Sequence, residues 1–215
     1  MRYALVILDL DGTLADSLPW FREHVNGVAD KFGFRRIAEA DFESLRRAGP
    51  RETLRRLGVP GWKLPWIAQH MRRLKAAHLD AIPLFPGAGT MLQALTDGGL
   101  RLALVSSDAE RNARRQLGDA NAARFSDFAC GAGLLGKAAK FRRVVKRAGV
   151  APARAIAIGD EVRDIEAARG AGIACAAVTW GYAAAEALRG LRPDLVLERM
   201  EDIAPALLAG NGGAS

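Results

Sequence analysis

Two cysteines, six lysines and no long apolar run set the first limits on this 215-residue chain. Cys130 and Cys175 sit in small apolar surroundings, with no Cys-x-x-Cys pair and no histidine at ligand spacing. That pattern fits buried thiols rather than a disulfide framework or a zinc site. No segment reaches the ~18 consecutive apolar residues of a membrane span. The first apolar run ends at Asp9, too soon for a signal-peptide core, so a cytoplasmic protein without a membrane partner is expected. Internal repeats and low-complexity stretches are also lacking. With 50% hydrophobic and 26% charged residues, the composition is that of an ordinary globular protein. The length suits one sizeable core, or a core with a smaller insert.

Charge is spread unevenly. The net charge is +7, and residues 16–84 hold 13 Arg and Lys against 8 Asp and Glu. Arginine pairs stand at Arg35-Arg36, Arg46-Arg47, Arg55-Arg56 and Arg72-Arg73. Such pairs fit a positive lid over an anionic substrate, a nucleic-acid patch, or a solvated helix face. Interspersed acids and sparse aromatics weigh against nucleic acid as a partner.

Apolar, β-branched runs at residues 5–8, 100–105, 125–130, 153–158 and 173–178 alternate with helical-period segments at 90–96, 110–117, 141–148 and 165–171. This alternation predicts βαβ units and a parallel sheet, completed by a short strand near 194–197 and a helix near 203–208. Residues 16–84 break the pattern. Phe21, Val25, Val28, Ala29 and Phe32 recur at 3- and 4-residue steps, further helical stretches follow, and no strand is evident. The expected organisation is therefore an α/β core of residues 1–15 and 85–210, a helical insert of 16–84 and a disordered tail of 211–215. Pro83 and Pro86-Gly87 mark the exit from the insert.

Four places at the expected carboxyl ends of strands carry chemistry. Asp9 and Asp11 follow the first strand and precede Gly12-Thr13. Two acids at such an edge need a counter-charge, and suggest a bound cation, proton transfer, or both. Ser106-Ser107 ends the second strand, where hydroxyls and main-chain N–H groups can hold a phosphate, although a helix N-cap reads the same way. Lys137 follows Gly136 directly, with Lys140 one turn later. Either is an ordinary surface lysine taken alone, or an ammonium pairing with a carboxylate and a phosphate. Gly159-Asp160-Glu161-Val162-Arg163-Asp164 follows the fourth strand, and its acids suit an oxygen-only Mg²⁺ site or an acidic N-cap.

In this order and spacing the motifs resemble those of the haloacid dehalogenase-like hydrolase superfamily, in its phosphoglycolate-phosphatase-like branch with a helical cap. The resemblance runs from Asp9 to about Leu197. It includes Asp9-Leu10-Asp11-Gly12-Thr13, Ser106, Lys137 (Lys140 as the lesser candidate) and Gly159-Asp160-Glu161-Val162-Arg163-Asp164. It implies a doubly wound, Rossmann-like α/β core, and a phosphatase acting on a small anionic phosphomonoester, phosphoglycolate first. Asp9 is then the nucleophile and Asp11 the acid and base. Mg²⁺ is held by Asp9, the Asp11 carbonyl, Asp160 and Asp164, while Ser106, Ser107 and Lys137 contact phosphate. The loop carrying Arg46, Arg47 and Arg51 is the expected substrate-selecting segment.

Three other readings stay open from sequence alone. The same core serves β-phosphoglucomutase-like phosphomutases. A phospho-acceptor signalling domain also gathers Asp, Ser or Thr and Lys on a parallel sheet. A nucleic-acid-binding protein would use the basic insert.

Overall fold

The computed structural model describes residues 2–131 and 136–209; the tail expected at 211–215 lies outside the described residues. Six strands form one parallel sheet: β1 (Leu5–Leu8), β2 (Arg101–Val105), β3 (Phe125–Ala129), β4 (Ala155–Gly159), β5 (Ala174–Val178) and β6 (Leu195–Leu197). Their order is β3-β2-β1-β4-β5-β6. Eleven α-helices are described: α1 (Leu18–Phe32), α2 (Phe42–Arg47), α3 (Pro50–Arg56), α4 (Leu64–Ala77), α5 (Ala88–Asp97), α6 (Glu110–Leu117), α7 (Asp119–Ala122), α8 (Lys137–Ala148), α9 (Val162–Ala171), α10 (Ala185–Gly190) and α11 (Ile203–Leu208).

The central strands are apolar at every position because helices cover both faces of the sheet. Side chains alternate across a strand, so Val6 and Leu8 enter the core that includes α5 and α11. Leu5 and Ile7 enter the opposite core, with Phe141 and Val144 of α8 and Ile165 of α9. β1 lies between β2 and β4, in register from Leu5 opposite Arg101 and Ala155 to Leu8 opposite Leu104 and Ile158. The chain winds first to one side of β1 and then to the other. Ligands of open α/β sheets bind at such a reversal, beyond the strands' carboxyl ends.

Between β1 and α5 come α1 to α4, with no strand. The chain leaves and re-enters the core side by side: the Asp16 N–H donates to the Pro83 carbonyl at 2.9 Å, and the Phe85 N–H to the Leu14 carbonyl at 2.9 Å. Pro19 sits in the first turn of α1, and Gly33 closes the helix in the left-handed region, its N–H on the Ala29 carbonyl. Val25, Ile37, Phe42, Leu45 and Leu57 form a separate apolar cluster inside this segment. Among the described residues, no helix is long and apolar enough to cross a membrane.

Candidate active site at the sheet switch point

Buried polar side chains gather at the carboxyl edge of β1, β2 and β4. Asp9, Thr13, Lys75, Ser106, Asp108, Lys137, Asp160 and Asp164 are all buried, and hydrogen bonds or ion pairs join them. Buried charges need partners, so one edge holding so many reads as a built site rather than a packing accident.

Asp9 follows the last residue of β1, its N–H on the Ile158 carbonyl at 3.0 Å. Its Oδ2 lies 2.8 Å from Lys137 Nζ, which also reaches Asp164 Oδ1 at 2.5 Å. Lys137 opens α8, and that position points its ammonium back over the strand ends. Lys140, one turn on, donates instead to the carbonyls of Ala129 and Cys130 at 3.2 and 2.5 Å. Asp164 is held by a capping box at the start of α9: its side chain accepts the Glu161 N–H, while the Glu161 side chain accepts the Asp164 N–H.

Asp160 accepts from Thr13 Oγ1 at 2.7 Å through Oδ1, and from the Tyr182 N–H at 2.7 Å through Oδ2. No cationic side chain pairs with it among the described residues. Gly12, at φ +77°, and Gly181 press against this carboxylate so closely that a Cβ on either would overlap Asp160 Oδ2. Glycine at both positions is a condition of the site.

The electrostatics follow from burial. Burial pushes the Asp9 carboxyl up to about 6, although Lys137 pulls the other way. Asp160 is driven well above the usual carboxylate range by burial and by the charges of Glu161, Asp164 and Asp9. Burial disfavours the Lys137 ammonium, but Asp164 and Asp9 outweigh that and raise its pKa. The carboxylates of Asp9, Asp160 and Asp164 each offer an oxygen, these lying within 4.8 Å of one another. An all-oxygen, negatively charged cluster that lacks enough positive charge fits a hard divalent cation.

Asp11 meets a partner absent from the sequence reading. Lys75, from α4, donates to Asp11 Oδ1 at 2.6 Å and lies 3.0 Å from Asp108 Oδ2. Burial lowers the Lys75 pKa, yet Asp11 and Asp108 outweigh it and leave the pKa raised. Asp108 is itself held through Oδ1 by the Ala109 N–H and Asn112 Nδ2 at 2.6 and 2.9 Å. Ser106 Oγ accepts the Asp108 N–H at 3.0 Å, which leaves the hydroxyl proton to donate. Ser107 lines the cavity above this edge.

The arginines divide. Arg46 lines the cavity, but its guanidinium donates to the carbonyls of Gly181 and Tyr182, each at 3.1 Å, and pairs with Glu43. It fastens α2 to the core. Arg47 and Arg51 are exposed and do not line the cavity. The expected substrate loop is only Ala48-Gly49, because α2 runs through Arg47 and α3 starts at Pro50. Arg72 and Arg163 line the cavity instead. Arg163 lies within the Gly159-to-Asp164 motif and Arg72 within one of the four arginine pairs, but no signal in the sequence marked Lys75.

The haloacid dehalogenase-like hydrolase family profile matches residues 6–178. A phosphoglycolate phosphatase of Synechococcus elongatus is 36% identical over 203 residues, covering 94% of this chain and 96% of that protein. Phosphoglycolate phosphatase 1 of Pseudomonas aeruginosa is 29% identical, covering 94% of this chain and 78% of that protein. A crystal structure of a predicted phosphatase from Clostridium acetobutylicum superposes with a TM-score of 0.82 at 21% identity, covering 97% of this chain and all of that one. By its family profile and its 36% relative, the chain belongs to the haloacid dehalogenase-like hydrolase family.

Proposed function

We propose that this phosphatase hydrolyses a small phosphomonoester in two displacements at Asp9, with Mg²⁺ as cofactor and α1 to α4 serving as a cap. The observation that carries the reading is the position of Asp9: a buried carboxylate at the end of the central strand, 2.8 Å from Lys137 and beside Asp160 and Asp164. An Asp9 oxygen attacks phosphorus, the bond to the leaving alcohol breaks, and Asp11 gives that oxygen a proton. Water then attacks the aspartyl-phosphate, Asp11 takes its proton, and Asp9 is restored with release of phosphate. Ser106 and Lys137 meet the charge that grows on the non-bridging oxygens. Asp9, Asp160 and Asp164 would hold the metal, which when bound screens repulsion between carboxylate and phosphoryl oxygens. The helical segment excludes bulk water from the intermediate.

Phosphoglycolate is the first substrate to assay, on the strength of the Synechococcus elongatus and Pseudomonas aeruginosa relatives. The test is phosphate release from a panel of phosphomonoesters with Mg²⁺. EDTA should abolish release and added Mg²⁺ should restore it. Turnover that persists in EDTA would remove the metal from the reading, and no release from any ester would remove the phosphatase.

A further inference from the structure

The cavity over the catalytic edge is far larger and more apolar than a two-carbon leaving group needs. Its volume is about 380 Å³, in the range of ~300–1,000 Å³ that holds drug-sized ligands. One end is polar, formed by Asp11, Ser107 and Asp108 of the core and by Arg72 and Lys75 of α4. From there the cavity runs into the helical segment, between Val25 and Val28 of α1, Phe42 and Leu45 of α2, and Leu57. These five residues are buried, and half-buried residues such as Phe34, Leu54 and Ile67 complete a lining that stays partly open to solvent. Two-thirds of the lining residues are apolar. An apolar void of ~150 Å³ already admits benzene, so an apolar cleft of this size has room for a small hydrocarbon body.

The charges at the mouth leave one cation uncommitted. A second anion on the substrate would need an uncommitted cation beside the leaving group. Arg46 is engaged by Glu43 and two carbonyls, Lys75 by Asp11 and Asp108, and Arg163 by Glu161. Only Arg72, whose guanidinium makes a single 3.5 Å contact to the Ser107 carbonyl, has its charge unpaired among the arginines and lysine lining the cavity. Beyond it, toward α1 and α2, the walls are aliphatic and aromatic apart from the committed Arg46.

We infer that the preferred substrate is a phosphomonoester whose leaving alcohol carries an apolar alkyl or aryl body, seated in the hollow of the helical insert. This rests on the phosphatase reading and names the class of substrate for the same site. The phosphoryl group lies at the polar end, and the apolar body replaces the missing contacts along the cavity wall.

A chain-length series tests it. Ethyl, butyl and hexyl phosphate are compared with phosphoglycolate on the wild-type protein with Mg²⁺, reading phosphate release. The expected result is a rise in kcat/KM of about fourfold per methylene, the equivalent of ~0.8 kcal/mol per buried CH₂ at ~1.36 kcal/mol per decade. Hexyl phosphate should then overtake phosphoglycolate. A flat or falling alkyl series with phosphoglycolate preferred overturns the inference and leaves the phosphatase reading intact. No release from any ester overturns both. Ala68, on α4, lines the cavity, and Ala68→Phe should cut the hexyl-to-ethyl ratio at least tenfold; an unchanged ratio in the folded variant places the apolar body elsewhere. If that variant does not fold, the wild-type series decides alone.

Discussion

Replacing Lys75 by methionine keeps most of the side-chain stem and removes only the charge that ties α4 to the core. In the wild type the ammonium side chain is 6% exposed, 2.6 Å from Asp11 and 3.0 Å from Asp108. Breaking a buried ion pair from one side costs roughly 3–5 kcal/mol, because the abandoned charge stays buried. The lower end applies here. Asp11 is 22% exposed and can rehydrate, and Asp108 keeps two other donors on Oδ1. A loss of ~3 kcal/mol corresponds to a fall in Tm of about 6–12 °C for a chain of this size, at ~2–4 °C per kcal/mol. Scanning calorimetry of wild type, Lys75→Met, Asp108→Asn and the double variant measures it. The double variant should recover at least half of the loss, since it removes the stranded charge as well. The pH dependence has a definite sign. The folded pKa of Lys75 is raised, so the bridge contributes fully below the unfolded lysine value of ~10.4 and fades as pH rises through the folded value. Wild type and Lys75→Met should therefore converge in stability in strong alkali. A Tm change under about 2 °C at neutral pH, or additive single losses, would refute the assignment of Lys75 as the tie between insert and core.

Other expectations concern the reaction itself. Asp9→Asn should keep the fold by circular dichroism and lower turnover at least ~10³-fold, as loss of a covalent nucleophile does; a milder loss would take the nucleophile's role from Asp9. Lys137→Ala should lose far more activity than Lys140→Ala, because only Lys137 reaches Asp9, and the reverse order would mean that the ion pair seen here is not the working one. Arg47→Ala and Arg51→Ala should leave kcat/KM within about twofold, the scale of surface substitutions of ~0.5 kcal/mol or less, whereas Arg46→Ala should raise KM by loosening α2 from Gly181 and Tyr182.

The core was legible in the sequence because a strand buried on both faces writes itself as an unbroken apolar run. Leu5 to Leu8 and Ala174 to Val178 are of this kind, and the acids that interrupt or follow such runs mark the strand ends. Asp9, Asp11 and Asp160 stand out for that reason. Lys75 does not, since a lysine on an amphipathic helix looks like any solvated residue until tertiary packing brings α4 over the strand ends. Charge misdirects in the same way at Arg47 and Arg51: local density drew attention to them, but the short α2 and α3 leave both exposed. The paired α8 lysines show what spacing cannot resolve. Lys137 and Lys140 lie one turn apart, and only the height of the helix start above Asp9 separates an ion pair from two carbonyl contacts. α10, at Ala185–Gly190, is too short and alanine-rich to leave a period.

The central place of β1 has a consequence for how the protein comes into being. β1, which Asp9 directly follows, is made before the other five strands, yet its hydrogen-bonding neighbours begin at Arg101 and Ala155. Until both are made, Leu5 to Leu8 is an apolar segment with both edges open, the kind of nascent sequence that chaperones shield and that aggregates when unshielded. Closing such long loops costs entropy before any contact compensates, which slows assembly of a sheet with this strand order. A fragment ending before β4 lacks Asp160 altogether and cannot bring that carboxylate to Asp9.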